Sequence, residues 1–331
     1  MSYRLGLTGD VMLGRLVDQT QWQRPVTAVW GDFLDALDAL DGLFVNLECC
    51  LSDRGEPWRR TPRAFRFRAD PDWALPALER AGVDCCALAN NHVLDFEEVA
   101  LRDTLDHLDA YHLAHAGAGR TYDDALEPAL VSIDDLDVAF VSLTDNTPEY
   151  AATDSSPGTA YVAIDVDDEQ TRSTVSEALE RARSHSPDLL VVSLHWGPNM
   201  VEAPPHPFRE FARWLVDEGV DVVHGHSAHV FQGIEVYRGR PILYDAGDFV
   251  DDYAVDARLR NDRSFLFELS VSADGDLSEL RLRPTEIYDY AVHAAGSEAA
   301  AWSRARMRDL SAPFGTEFDR AGADLVVDLD Q

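Results

Sequence analysis

Short apolar runs alternate with amphipathic stretches along the first half of the chain. Residues 3–8, 43–47 and 84–89 read as strands, with another short one near 112–116, and residues 31–40, 71–81 and 97–110 read as helices. The helix at 71–81 opens after Asp70-Pro71, with proline in its first turn, and stops at Gly82. Strands alternating with helices indicate βαβ units. Residues 128–133 and 137–143 predict a hairpin turning at Asp134-Asp135, and the polar stretch 144–160 reads as a loop and the weakest point for a boundary. Beyond it, 167–185 and 206–219 read as helices and 188–194 and 221–224 as strands. From 230 to 286 the pattern is mostly β, with turns at Arg238-Gly239 and Asp274-Gly275, and a helix near 297–310 precedes an irregular tail. Two halves, each with its own strands and helices, predict two sheets facing each other with helices outside. The expected organisation is one composite α/β domain over 1–290, with residues 291–331 as a C-terminal helix and tail packing on it.

Composition narrows the function classes. Of 331 residues, 46% are hydrophobic, which is enough for a sizeable core. Asp and Glu number 60 against 28 basic residues, a net charge of −32, and every one of the 28 is Arg. Such a chain lacks the cationic excess that displaces phosphate counterions, so nucleic acid is not an expected partner. Adsorption on an anionic membrane is disfavoured for the same reason. Dispersed acid without Lys resembles haloarchaeal proteins, in which salt screens a self-repelling surface. No apolar run is long enough to span a bilayer, and the amino terminus turns polar too early for a signal peptide. The cysteines fall as Cys49-Cys50 and Cys85-Cys86, pairs that suit buried apolar positions better than a disulfide framework. A cytoplasmic protein is expected.

Candidate chemistry collects where strands end. Asp10, Glu48, Asn90-Asn91-His92, His195, and the trio His224, His226 and His229 each follow a predicted strand. In open α/β sheets, ligands bind beyond the carboxyl ends of strands. Taken singly, each has a plain structural explanation: a Gly-Asp turn, a strand-end charge, turn-forming asparagines, a core histidine. Three histidines within six residues around Gly225 are harder to explain by packing. Carboxylates, a carboxamide and imidazoles together suit first-row ions such as Mn, Fe, Co or Zn. Six or more ligands exceed the needs of one tetrahedral ion, so two are expected. Arg15, opening the first helix, could meet an anionic substrate or pair with an acid.

These segments resemble the CapA family, named for a poly-γ-glutamate capsule synthesis protein, within the calcineurin-like metallophosphoesterase superfamily. The resemblance is carried by Gly9-Asp-Val-Met-Leu-Gly-Arg15, Asn46-Leu-Glu48, Leu88-Ala-Asn-Asn-His92, Gly117-Ala-Gly119, His195-Trp-Gly197, His224-Gly-His-Ser-Ala-His229, Gln232-Gly-Ile-Glu235 and Gly247-Asp-Phe249. It implies a four-layer α/β/β/α sandwich of two facing mixed sheets with two divalent metal ions. By position, Asp10 would ligate the first ion and Glu48 would bridge both. Asn91 and His195 would hold the second, His226 and His229 would complete the set, and His92 would be the general acid.

The chain departs from the superfamily pattern in several places. Met12 stands where Asp-x-His has its histidine, and Glu48 stands where Asp is usual. His226 and His229 are wider apart than the usual pair, whereas His224 and His226 have that spacing, so two of the three remain to be chosen. Asp248 replaces a frequent Asn. The expected function is metal-dependent hydrolysis of phosphoesterase type, on an anionic small molecule. The alternatives are γ-glutamyl amide chemistry on a polymer and a non-enzymatic protein on the same fold.

Overall fold

A computed structural model describes residues 2–330. Two large mixed sheets hold most of the strands. The first has ten, in the order 319–321, 324–328, 277–288, 263–272, 2–11, 42–47, 85–87 and 114–116, with 248–250 beside the end of 2–11 and 291–294 beside 277–288. Its half built from 2–11, 42–47, 85–87 and 114–116 is parallel, and its other half is antiparallel. The second has six, in the order 234–237, 240–243, 222–226, 189–195, 136–144 and 129–133, with the four central strands parallel. Both edge strands of this sheet are antiparallel.

Strand alternation sorts the apolar residues into layers. Leu5, Leu7, Phe44 and Phe267 of the first sheet share one core with Val138, Phe140, Val191 and Val222 of the second. Phe44 stacks on Phe140 across the gap, with ring centroids 5.4 Å apart. The alternate residues Leu43, Val45 and Leu47 face outward, onto Trp73, Leu78, Leu101 and Leu105 of the helices Pro71–Arg80 and Glu97–Ala110. On the far side, Val141, Leu190, Val192 and Leu194 meet Val175, Leu179, Phe211 and Leu215 of the helices Glu169–Ser184 and His206–Asp217. The layers run helix, sheet, sheet, helix. Among the described residues no helix is long and apolar enough to cross a membrane.

Most elements lie where the apolar pattern puts them, and three differ. Residues 31–40 are not one helix. A 3-10 helix at Ala28–Phe33 leads into a single α-turn at Leu34–Leu37, because Gly31 sits at φ 49° and breaks the repeat. The strand expected at 84–89 is confined to Cys85–Ala87. The tail is not irregular: Asp319–Ala321 and Asp324–Asp328 form a hairpin on the first sheet, burying Leu325 and Val327. The turn at Arg238-Gly239 has φ values of 52° and 76°, the left-handed pair that suits a two-residue hairpin loop.

Candidate metal centre

The same alternation that sends Val191 and Val222 inward carries Ser193 and His195, and His224 and His226, onto the inter-sheet face. Phe44 likewise places Asn46 inward, and Glu48 follows with the same parity. Asp10 needs a further device, because strict alternation from Leu7 would turn Gly9 inward. The pairing of Ser2–Val11 with Gly42–Leu47 slips between Leu7 and Asp10, and this irregularity re-aims the carboxylate. Gly9 permits it: a Cβ there would lie 2.0 Å from the Gly247 carbonyl oxygen, which accepts the Asp10 N–H at 2.9 Å. After His226 the chain turns sharply, with φ 111° at Ser227 and 57° at His229. The Ser227 N–H thereby reaches Asp10 Oδ2 at 3.2 Å.

The fold brings Asp10, Glu48, His195, His226 and His229 together, all at most 4% exposed. Asp10 Oδ1 is 3.4 Å from His226 Nδ1 and 3.8 Å from His195 Nδ1, and its Oδ2 is 3.5 Å from His229 Nδ1. His195 Nε2 lies 3.4 Å from Glu48 Oε1. Ligand atoms of Asp10, His195 and His226 all fall within 4.8 Å of one another, as do those of Asp10, Glu48 and His229. Either group could hold a metal ion, and Asp10 belongs to both.

His92 stands at the edge of this cluster, its Nε2 3.7 Å from Glu48 Oε1. Its other nitrogen meets Asp95 Oδ2 at 2.5 Å. Asp95 is itself fixed by the Phe67 N–H at 2.7 Å and the Tyr150 hydroxyl at 3.2 Å. Asn91 presents a buried Oδ1 with no protein partner, whereas its neighbour Asn90 is spent on structure. The Asn90 amide donates to Leu47 O and Asn46 Oδ1, and its carbonyl accepts the His92 N–H. Both nitrogens of His224 are engaged, with Thr8 O at 2.8 Å and Ser193 Oγ at 3.3 Å. His224 thus supports the centre from behind, and His226 and His229 are the two of the trio that meet Asp10. Arg15 pairs with Asp252 at 3.4 Å and lies over the Phe65 ring at 4.4 Å.

Sequence reasoning passed over Asp95, Asn46 and Asp245. Asn46 donates to Asp10 Oδ1 at 2.7 Å and so sets the carboxylate. Asp245 accepts the Ala228 and Gly247 N–H groups and pins the histidine turn. Asp95 carried a signal, an acid three residues after His92, within reach on one turn. Asn46 stood in the Asn46-Leu-Glu48 segment without a role of its own, and nothing local marked Asp245.

The family described as Bacterial capsule synthesis protein PGA_cap matches residues 4–253. A probable polyglutamine synthesis accessory protein of Mycobacterium tuberculosis is 32% identical over 329 residues, covering 95% of this chain and 84% of its own. The chain belongs to the PGA_cap family. It is also similar to the PGA biosynthesis protein CapA of Bacillus subtilis, 27% identical over 74% of this chain and 62% of that protein. The capsule biosynthesis protein CapA of Bacillus anthracis is 28% identical over 74% of this chain and 59% of its own length.

The electrostatics of this PGA_cap protein show what its centre suits. Burial pushes the Glu48 carboxyl well above the usual range, and the nearby Asp10 and Asp248 push it further. Burial raises Asp10 likewise, partly offset by His229. Burial also holds His195 and His226 well below the usual imidazole range, so both rings are neutral and keep a lone pair. Both Glu48 oxygens, Asn91 Oδ1, His195 Nε2 and Asp248 Oδ2 are buried with no protein partner. Unpaired acceptors of this kind are costly in a protein interior unless a cation meets them. The donor set therefore fits a bound divalent metal.

Proposed function

We propose that this protein is a metal-dependent hydrolase of phosphoesterase type. The observation that carries the reading is the convergence of Asp10, Glu48, His195, His226 and His229 around buried acceptors with no partner. Asp10, Glu48, Asn91, His195, His226 and His229 would hold two divalent ions, drawn from Mn, Fe, Zn or Co, and Asp10 is the residue common to both ligand groups. When bound, such a pair supplies an activated water and neutralises charge at a phosphoryl centre. His92 is the residue placed to return a proton to the leaving oxygen, from Nε2. Asp95 holds its Nδ1, which fixes the ring's orientation. The four buried cysteines are unbridged and suit a reduced compartment such as the cytoplasm.

The test is purified protein stripped with chelator, reloaded with Mn²⁺ or Zn²⁺, and assayed on an activated aryl phosphate. Hydrolysis that follows metal loading supports the reading. Stoichiometric metal with no hydrolysis of any phosphate ester would sink it. A second reading is favoured by the names of the relatives, which refer to polyglutamine and PGA synthesis. The same centre and the same His92 would then act at the carbonyl of a γ-glutamyl amide. Chain-length analysis of poly-γ-glutamate incubated with the metal-loaded protein separates the two.

A further inference from the structure

Residues 65–68 read Phe-Arg-Phe-Arg, an alternation that the metal centre does not use. As the chain runs into the strand Arg68–Ala69, alternate side chains point to opposite sides. The two arginines turn back on their own loop. Arg66 donates from two nitrogens to the Trp58 carbonyl, and Arg68 donates to the carbonyls of Arg54 and Gly55. The two rings turn the other way, towards the centre. Phe67 is fully buried, its N–H is held by Asp95 at 2.7 Å, and its ring meets the His92 ring edge-on at 4.6 Å. Phe65 is 45% exposed, with its ring centroid 5.7 Å from Tyr253 and 6.5 Å from Phe67. Tyr253 in turn meets the His229 ring at 4.8 Å. Phe65 is thus the outermost ring of an aromatic path that branches to the residue assigned as proton donor and to one assigned as metal ligand.

Packing alone does not account for Phe65. A ring that only supported its neighbours would be covered, as Phe67 is. Arg15 lies beside both rings, its Cζ 4.4 Å from the Phe65 centroid and 5.3 Å from that of Phe67. Its Nε faces Asp252 Oδ2 at 3.4 Å, while its Nη1 is buried with no protein partner. The surface next to the centre therefore presents a partly open ring and a guanidinium with a donor to spare. We propose that Phe65 is a specificity residue of this centre, a platform on which a planar aromatic group carried by the leaving oxygen of a phosphate ester stacks, with Arg15 beside it. The proposal deepens the phosphoesterase reading above and rests on it. A planar ring fits better than a flexible alkyl chain. Aromatic faces and guanidinium groups both stack on a flat π-system, whereas an alkyl chain would strip water from Arg15 without replacing its hydrogen bonds. The guanidinium also suits the anion that such a substrate carries. Phe67 links the platform to His92, so the recognition falls on the side of the departing oxygen.

The test uses phosphonates, in which carbon replaces the ester oxygen and prevents hydrolysis, so that binding is read without turnover. Calorimetric titration of the Mn²⁺-loaded full chain compares benzylphosphonate, hexylphosphonate and methylphosphonate. The parent protein should bind benzylphosphonate about tenfold more tightly than either of the others. Phe65→Leu, which keeps an apolar side chain without a ring, should reduce that preference to about twofold, and Phe65→Tyr should retain it. Leu130→Ala removes a comparably exposed apolar side chain from an edge strand of the second sheet and should leave all three affinities unchanged. The proposal is overturned by equal binding of the benzyl and methyl compounds, by hexylphosphonate binding as tightly as benzylphosphonate, or by no binding of any of the three. An undiminished preference in Phe65→Leu would overturn it equally. Turnover separates this claim from the one beneath it. Benzyl preference in a protein that hydrolyses no phosphate ester leaves the platform standing and sinks the hydrolase reading. Hydrolysis of aryl and alkyl esters without the binding preference does the reverse.

Discussion

Replacing Gly9 by Ala should damage stability and the metal centre together, and the size of the effect follows from one contact. The added Cβ would lie 2.0 Å from Gly247 O, where ordinary contact begins at 3.4 Å, so one backbone must move by about 1.4 Å. Gly247 cannot yield freely, being held at φ 66° with its N–H bound to Asp245 at 2.8 Å. A displacement of that size breaks the 2.9 Å bond from the Asp10 N–H to the Gly247 carbonyl. A lost buried hydrogen bond costs about 1–3 kcal/mol and overpacking about as much again, so a total of about 2–6 kcal/mol is expected. Gly82→Ala is the control. Gly82 has φ 71° but nothing within 4 Å of its Cβ position, so only the left-handed backbone cost of about 1–2 kcal/mol applies. Urea unfolding of both variants, with calorimetric titration of Mn²⁺, gives the comparison. Gly9→Ala should be the less stable and should bind metal weakly, whereas Gly82→Ala should bind it normally. If Gly9→Ala is no worse than Gly82→Ala in either measurement, the account of how Asp10 is aimed is wrong.

Other predictions follow from the same geometry. Asp95→Asn should keep metal but lower kcat by up to about 10²-fold, with KM little changed. His224→Ala should lose about 1–3 kcal/mol of stability by stranding Thr8 O yet still bind metal, whereas His226→Ala should lose the metal. Without metal, stability should fall as pH rises from about 6.5 to 8.5, because burial pushes the Asp248 carboxyl up to about 8 and the Glu48 carboxyl well above its usual range. Groups with raised folded values bind protons more tightly in the native state, so their contribution is present at low pH and lost on passing the folded value. Below about 6.5 the fall should be partly offset, since burial lowers His224 to about 4 and depresses His195 and His226, all of which oppose folding once the unfolded chain binds their protons. A denaturation midpoint that climbs steadily from pH 6.5 to 8.5 in chelator would contradict this.

Much of the fold was legible because the rules that govern it are local. Alternation in Leu189–His195 assigns Val191 and His195 to one face whatever the partner strand, and Asp70-Pro71 with Gly82 marks a helix in isolation. The strand-end residues were legible for the same reason. What escaped depends on partners distant in sequence. The slip that aims Asp10 exists only against the strand Gly42–Leu47, and Asn46 acts on a carboxylate 36 residues away. His224 and His226 share parity, and only Thr8 O on the facing sheet separates support from ligand. The hairpin near the C-terminus was hidden by flanking acids, although Leu325 and Val327 alternate as a strand should.

The central claim is that Asp10, Glu48, Asn91, His195, His226 and His229 would together hold two metal ions. The most direct measurement is a crystal structure of the protein grown with Mn²⁺, with anomalous scattering recorded above the manganese edge. The account predicts two strong peaks about 3.5–4 Å apart, both near Asp10. No peak among these residues, or peaks only at surface acids, would contradict it.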